Sequence, residues 1–237
     1  METIPRPNSL LLLLLNCLVL FIGSTNGVEY PVTITALNTS AGVQRFVRRI
    51  GKSYASRRME SGTNFIWKTL HQTAAGDDGE RKDYSRVELF IQSMKQRRTY
   101  HVDNRIAINS EYIGNYTAGN LKREFTGLLY QQMALVWAWD GVGQAPAGLV
   151  SGIADYVRMR AHLVSRSGWA RPGDGERWDQ GNDVTARFLE YCGKFKEGFV
   201  GELNRKMKNG YSDDYFKELL GKNVDRVWRD YKARYPR

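Results

Sequence analysis

The sequence predicts an α+β or mixed domain, with a small sheet at one end and a helical bundle at the other. Two observations carry this. Period-two apolar alternation is confined to the first half of the chain, and beyond Thr117 the apolar residues recur at helical spacing. Strands mixed with helices, followed by helices alone, is the order expected when sheet and helices are segregated.

Val28 to Leu37 alternates and is rich in Val, Ile and Thr, so it reads as the first strand. From Gly42 to His71 the spacing becomes helical, through Val43, Phe46, Ile50, Phe65, Ile66 and Leu70, with Gly51 and Gly62 as the points that divide it into two helices. Thr73 to Tyr84 is polar and glycine-containing, and reads as a loop. Val87 to Met94 is the second strand, and Thr99 to Asn109 holds one or two more. A long helix is expected over Thr117 to Trp139, with Leu121, Phe125, Leu129, Met133 and Val136 along one side, stopped by Gly141 and Gly143. A second helix is expected from about Ala147 to Leu163. After the Gly/Pro/Trp loop from Ser167 to Gly181 the chain reads as helical to its end, where Val224, Val227, Trp228 and Tyr231 form a core face. There are no repeats and no low-complexity tract.

The chain has 237 residues, is 42% hydrophobic and carries a formal net charge of +10. That suits one compact domain with a real core and excludes a disordered chain. Leu10 to Ile22 is an almost unbroken apolar run, too short for a comfortable membrane span and followed by small and polar residues. Residues 1–27 therefore read as a secretory signal peptide, cut after Gly27 or after Ser24, ahead of a domain at 28–237. Its removal takes away Glu2 and Arg6, which leaves the charge unchanged, and Cys17, which leaves Cys192 with no intramolecular disulfide partner. Cys192 follows Val184, Phe188 and Tyr191 on an apolar stripe, the setting of an inert buried thiol. A secreted chain would also offer Asn38 and Asn115 as glycosylation acceptors, since both begin Asn-x-Ser/Thr triplets. An extracellular destination argues against nucleic acid as a partner, and the short apolar run against a membrane anchor.

No active-site motif stands out from residue types alone. His71, His101 and His162 are scattered, and there is no His-Glu-x-x-His, no Gly-x-Ser-x-Gly, no P-loop and no paired zinc-binding cysteines. Asp155 and His162 lie two helical turns apart and could share a face, but one carboxylate and one imidazole do not complete a zinc shell.

The informative stretch is LLYQQMALVWAWD at Leu128–Asp140, continued by GVGQAPAGLVSGIADYVR at Gly141–Arg158. With GERWDQG at Gly175–Gly181, DVTARFL at Asp183–Leu189, GYSD at Gly210–Asp213 and WRDYKARY at Trp228–Tyr235, it closely resembles the plant basic secretory proteins, a family placed with the zinc peptidases. The likeness runs from about Glu29 to Tyr235. It implies a zincin-like, metalloprotease-like α+β fold: a small twisted sheet with one edge lining a cleft, a long active-site-type helix behind it, and a helical C-terminal part.

The resemblance also implies a zinc site. The family's two metal-binding histidines fall at Gln131 and Leu135, its glutamate base at Gln132, and a third ligand, a glutamate, at Ser151. Residues i and i+4 share a helix face, so two imidazoles there could grip one ion. A carboxamide, a leucine and a hydroxyl replace them, and Gln132 cannot take a proton from bound water. Asp155 is expected as a remnant support behind the former ligands, Tyr130 and Trp137 as remnants of the cleft, and Asn182 stands where the family more often has an aromatic residue. On this reading the chain is not an enzyme. It is a secreted metallopeptidase homologue with no catalytic residues, no metal and no cofactor, which binds a peptide or protein in the former cleft. The resemblance sets it in the extracellular space or cell wall, in plant defence. Two alternatives stand beside it. One is an active peptidase with a non-standard metal site that uses Asp155 or His162. The other is a basic protein bound to acidic wall polysaccharide through Arg45, Arg48, Arg49, Lys52, Arg57 and Arg58, or through the cluster on the last helix.

Overall fold

A computed structural model describes residues 27–72, 81–165 and 168–236. The expected signal peptide therefore lies outside the described residues apart from Gly27, as does most of the expected loop at Thr73–Tyr84.

The fold is α+β, with a small mixed sheet and, among the described residues, nine helices. The sheet has four strands, β1 (Val32–Ile34), β2 (Glu88–Gln92), β3 (Thr99–Val102) and β4 (Arg105–Asn109), in the order β1-β2-β4-β3. β1 runs parallel to β2, with Thr33 opposite Phe90, and β2 parallel to β4, with Phe90 opposite Ala107. β3 folds back antiparallel on β4 and forms one edge. Leu89 and Ile91 bury one face of β2, as period-two alternation requires, while Ile106, Ala107 and Ile108 are all buried in β4, the other interior strand. The reverse turn between β3 and β4 is set by Asp103, at φ +50°.

The helices of the first half are α1 (Ala41–Arg49), capped by the Ser40 hydroxyl, and α2 (Lys52–Thr69). Gly51 separates them, as expected, at φ +80°. Gly62 does not divide anything. It lies inside α2, where a Cβ would press on the Tyr130 ring, so it is the place where a long helix passes closest to its neighbour. A short helix not anticipated from the sequence, α3 (Ser110–Asn115), follows β4 directly. Asn109 makes this possible: its Oδ1 accepts from the Glu111 N–H at 2.9 Å to cap α3, while its Nδ2 donates to the Met94 and Arg97 carbonyls, both at 2.8 Å.

The long helix, α4 (Leu121–Trp137), is capped by Asn120, ends before Gly141 and Gly143, and is buried along most of its length. It packs on α2, on the sheet, and on α5 (Ala147–Arg160). The loop into α6 (Asn182–Cys192) is pinned by the last helix: the Tyr231 hydroxyl accepts from the Gly173 N–H at 2.8 Å, and Lys232 Nζ donates to the Gly175 carbonyl at 2.8 Å. α7 (Phe199–Lys206), α8 (Asp214–Leu220) and α9 (Val224–Arg234) complete the chain. Phe188, Phe216, Trp178, Trp228 and Tyr231 join α6, α8 and α9 in one aromatic cluster. Cys192 is wholly buried beside it, and burial pushes its thiol well above the usual range, which makes it inert. Asn38 and Asn115 are exposed. No described helix is long and apolar enough to cross a membrane.

α5 and α6 lie so close that side chains are excluded at the crossing. A Cβ on Gly148 would overlap the Asp179 carbonyl oxygen, and one on Gly152 would overlap the Thr185 side chain. Gly148→Ala is therefore expected to lower stability by about 1–3 kcal/mol or more, because backbone must move. Gly193→Ala, where a Cβ meets only ordinary contacts, should change it by less than about 0.5 kcal/mol. Urea unfolding of the two variants checks this.

Candidate functional site

Three elements meet where the family resemblance sets its zinc site. α4 supplies Gln131, Gln132 and Leu135, α5 supplies Ser151 and Asp155, and the start of α6 supplies Asn182. Gln131 and Leu135, one turn apart, are both half-buried and share a face of α4. Gln132 points elsewhere. It is buried, and its Oε1 has no hydrogen-bond partner among the described residues.

The structure does bring Gln131 and Asp155 together: Gln131 Nε2 donates to Asp155 Oδ1 at 2.5 Å. Asp155 is only 4% exposed. Burial raises its pKa to about 6, against the pull of Arg158, with a push from Asp183, and with the Gln131 hydrogen bond as the smallest, lowering influence. The partner of Asp155 on α4 is thus a carboxamide. Ser151 turns away from this pair. Its hydroxyl donates to the Gly148 carbonyl and accepts from the Asn182 N–H, both at 3.2 Å, which holds the first residue of α6 on α5.

Trp137 lies in the core, and Tyr130 borders a different depression, the one lined by Arg58, Lys122 and Arg160. The Trp137 indole is fully buried, donates to Thr63 Oγ1 at 3.1 Å and stacks edge-on with Trp67 and Tyr84. α4 turns it toward the core because six residues beyond Gln131 is about 120° around the helix from that face. Tyr130 is buried against α2, where it receives a hydrogen bond from Arg58. The histidines remain apart. His71 sits against Gly198 and Gly201 with Nδ1 at 3.4 Å from Glu202. His101 is on β3, where burial and nearby Lys82 hold its pKa below the usual range. His162 lies beyond the end of α5, exposed, at φ +57°, so it does not share a helix face with buried Asp155.

A zinc ion needs lone pairs from about three protein side chains. Leu135 has none, the Gln131 nitrogen is engaged as a donor, and Ser151 is neutral and bonded to backbone. Among the described residues no group of three or more His, Cys, Asp or Glu could hold a metal ion. The side chains present do not fit zinc.

Sequence reasoning did not find Lys82 or Asn204, which fix the end of α4. Lys82 Nζ donates to the Val136 carbonyl at 2.9 Å, and burial lowers its pKa. Buried Asn204 accepts from the Trp139 N–H at 3.1 Å and donates to the Trp139 carbonyl at 2.8 Å. Only a fold could reveal these pairings, since Asn204 lies far along the chain on α7.

Comparison with known proteins agrees with the resemblance. Residues 25–231 match the model of the basic secretory protein family, described as a peptidase of plants and bacteria, and the chain belongs to that family. A relative from Boswellia serrata, named a basic secretory protease, is 40% identical over 58 residues, which is 24% of this chain and 66% of the relative. No solved structure matches the chain significantly. These findings overturn the expectation that the chain is not an enzyme: the family description and the relative's name both point to a protease. The lack of a zinc shell at four positions does not carry a conclusion of inactivity.

Two outcomes follow. Since the folded-state pKa of Asp155 lies above its unfolded value of 3.8, the folded chain binds the extra proton between these values. Stability contributed by Asp155 is therefore present at low pH and is lost as pH rises from about 4 to 6, by about 2–3 kcal/mol. Asp155→Asn should flatten that slope in urea unfolding followed across this window. The joint change Gln131→His, Gln132→Glu, Leu135→His and Ser151→Glu should bind zinc stoichiometrically by atomic absorption, with the starting chain binding much less.

Proposed function

We propose that this chain is a secreted protein that takes extended polypeptides along the free edge of β3, across the face of α4 that carries Gln131 and Leu135. One observation carries the reading: among the described residues β3 ends the sheet, pairs with β4 alone, and packs beside α4. An unpaired strand edge is a row of backbone donors and acceptors that an extended peptide completes. A short mixed sheet with an antiparallel edge strand over a long helix is also what a zincin-like arrangement would require.

Secretion is supported by the apolar run at Leu10–Ile22 and by the word secretory in the relative's name. The extracellular space, with a part in plant defence, is the setting that the resemblance suggests. Family membership supplies peptide-bond hydrolysis as the reaction class. In this chain the ionisable group tied to the α4 face is Asp155, reached through Gln131. A carboxyl that titrates near pH 6 can hold or give up a proton close to neutrality.

Purified mature chain should cleave unfolded casein or a quenched peptide library, with chelator making little difference. The rate should change through pH 6, and Asp155→Asn should remove that inflection. A profile that Asp155→Asn leaves unchanged would remove Asp155 from the reaction. Failure both to cleave and to bind the same peptides by fluorescence anisotropy would sink the reading as a whole.

A further inference from the structure

A strongly basic surface lies away from the Gln131–Asp155 site, where α2, the start of α4 and the end of α5 converge. A depression of about 500 Å³ is lined there by Arg58, Lys122, Arg123 and Arg160, with no aspartate or glutamate among its lining residues. A second depression, of about 700 Å³, shares Arg123, Arg160 and His162 with the first and adds Arg171 and Arg187. Its one carboxylate, Glu190, already accepts from Arg187 at 3.0 Å. Six cations thus line one continuous trough against a single, neutralised acid. Arg58, Lys122, Arg123, Arg160 and Arg171 are all exposed. Like charges brought this close repel, and a polymeric anion laid along them would relieve the repulsion and release counterions.

We propose that this trough binds an acidic polysaccharide, a chain of sugar rings that carry carboxylate or sulfate groups. The aromatic residues decide against single-stranded nucleic acid, which needs free ring faces on which bases stack. Here the Tyr54 ring has the Arg58 and Lys122 cations at 5.1 and 5.0 Å, and Trp169 has Arg158 at 5.7 Å. Those rings place cations; they do not offer platforms. An acidic peptide is disfavoured because the walls are helices and loops with no free strand edge. Sugar hydroxyls, by contrast, find a partner in the exposed Asn120 amide on the same wall, whose Oδ1 caps α4 while its Nδ2 meets no acceptor among the described residues.

This site shares only Arg58 with the charge clusters visible in the sequence. Arg45 is turned inward, donating to the Gly114 carbonyl at 2.9 Å, and Arg226 pairs with Asp230 on α9. The trough is assembled from segments more than one hundred residues apart, Arg58 at one end and Arg171 at the other.

The test is binding of the whole mature chain to polygalacturonate and to dextran sulfate at about 50 mM salt, with poly-glutamate and single-stranded DNA as competitors. Arg58→Ala with Lys122→Ala, and Arg160→Ala with Arg171→Ala, should each weaken polysaccharide binding about tenfold or more. Arg229→Ala with Arg234→Ala removes the same charge from α9 and should weaken it less than about threefold. Thermal melts should show that all three pairs remain folded. The two polysaccharides tell which anion is preferred. Equal loss in the α9 control, tighter binding of poly-glutamate or DNA, or no binding to either polysaccharide would overturn the proposal.

Discussion

The approach of α5 to α6 sets the terms for the rest of the molecule. At Gly148 and Gly152 the two elements touch with no room for a side chain, so α6 begins directly against α5. Thr185 locks the geometry: its hydroxyl donates to the Trp178 carbonyl at 2.7 Å and accepts from the Gly181 N–H at 2.8 Å. Ser151 adds the hydrogen bond to Asn182. Asp183, one residue later, is near enough to raise the Asp155 pKa. A glycine contact therefore reaches the electrostatics of a carboxyl on the same face of α5, since Gly148, Gly152 and Asp155 are spaced i, i+4 and i+7. The same contact decides how the aromatic cluster under α6 meets α8 and α9.

α4 is held against α5 by a second constraint of a different kind. Glu124 and Arg158 are both nearly buried, with Arg158 Nη2 donating to Glu124 Oε2 at 2.9 Å. A buried ion pair repays its desolvation only when its remaining polar atoms are also satisfied. Here Tyr112 donates to the other Glu124 oxygen at 2.9 Å, and Arg158 Nε reaches the Leu163 carbonyl at 3.2 Å. Gly127 leaves the space through which the guanidinium passes. The Tyr112 hydroxyl, bonded to a carboxylate in a half-buried setting, is driven far above its usual range, which keeps it a donor. The network ties α3, α4 and α5 together one turn from the basic trough, so the trough's cations stand on a fixed base.

Period and punctuation made much of the fold legible. The strands at Glu88–Gln92 and Arg105–Asn109 and the break at Gly51 follow from alternation and a positive φ that glycine tolerates, whereas the long helix, expected from Thr117, starts only at Leu121 behind the Asn120 cap. Gly62 shows where such reading fails. Glycine serves both as a breaker and as a close-packing residue, and only the Tyr130 ring across the gap tells the two apart. The same limit applies to Trp137, whose place in the motif suggested a cleft while its indole found Thr63 on α2. The trough was invisible for a further reason: linear charge runs mark helix surfaces, whereas Arg58, Arg123, Arg160 and Arg171 are neighbours only after folding.

The Gln131–Asp155 pair shows how a site can keep its geometry while changing its chemistry. A buried carboxyl without a donor is costly, and a lone glutamine amide supplies that donor without adding charge. The hydrogen bond lowers the Asp155 pKa, but burial outweighs it, so the group settles near 6. A cation at position 131 would reverse that balance, since it would favour the ionised form far more strongly than an amide does. Residue 131 as it stands holds Asp155 Oδ1 in place, while burial and then Arg158 weigh most on its charge state. A neutral donor at 131 leaves the proton on Asp155 exchangeable near neutrality, a property that the usual pKa of an exposed aspartate would not provide.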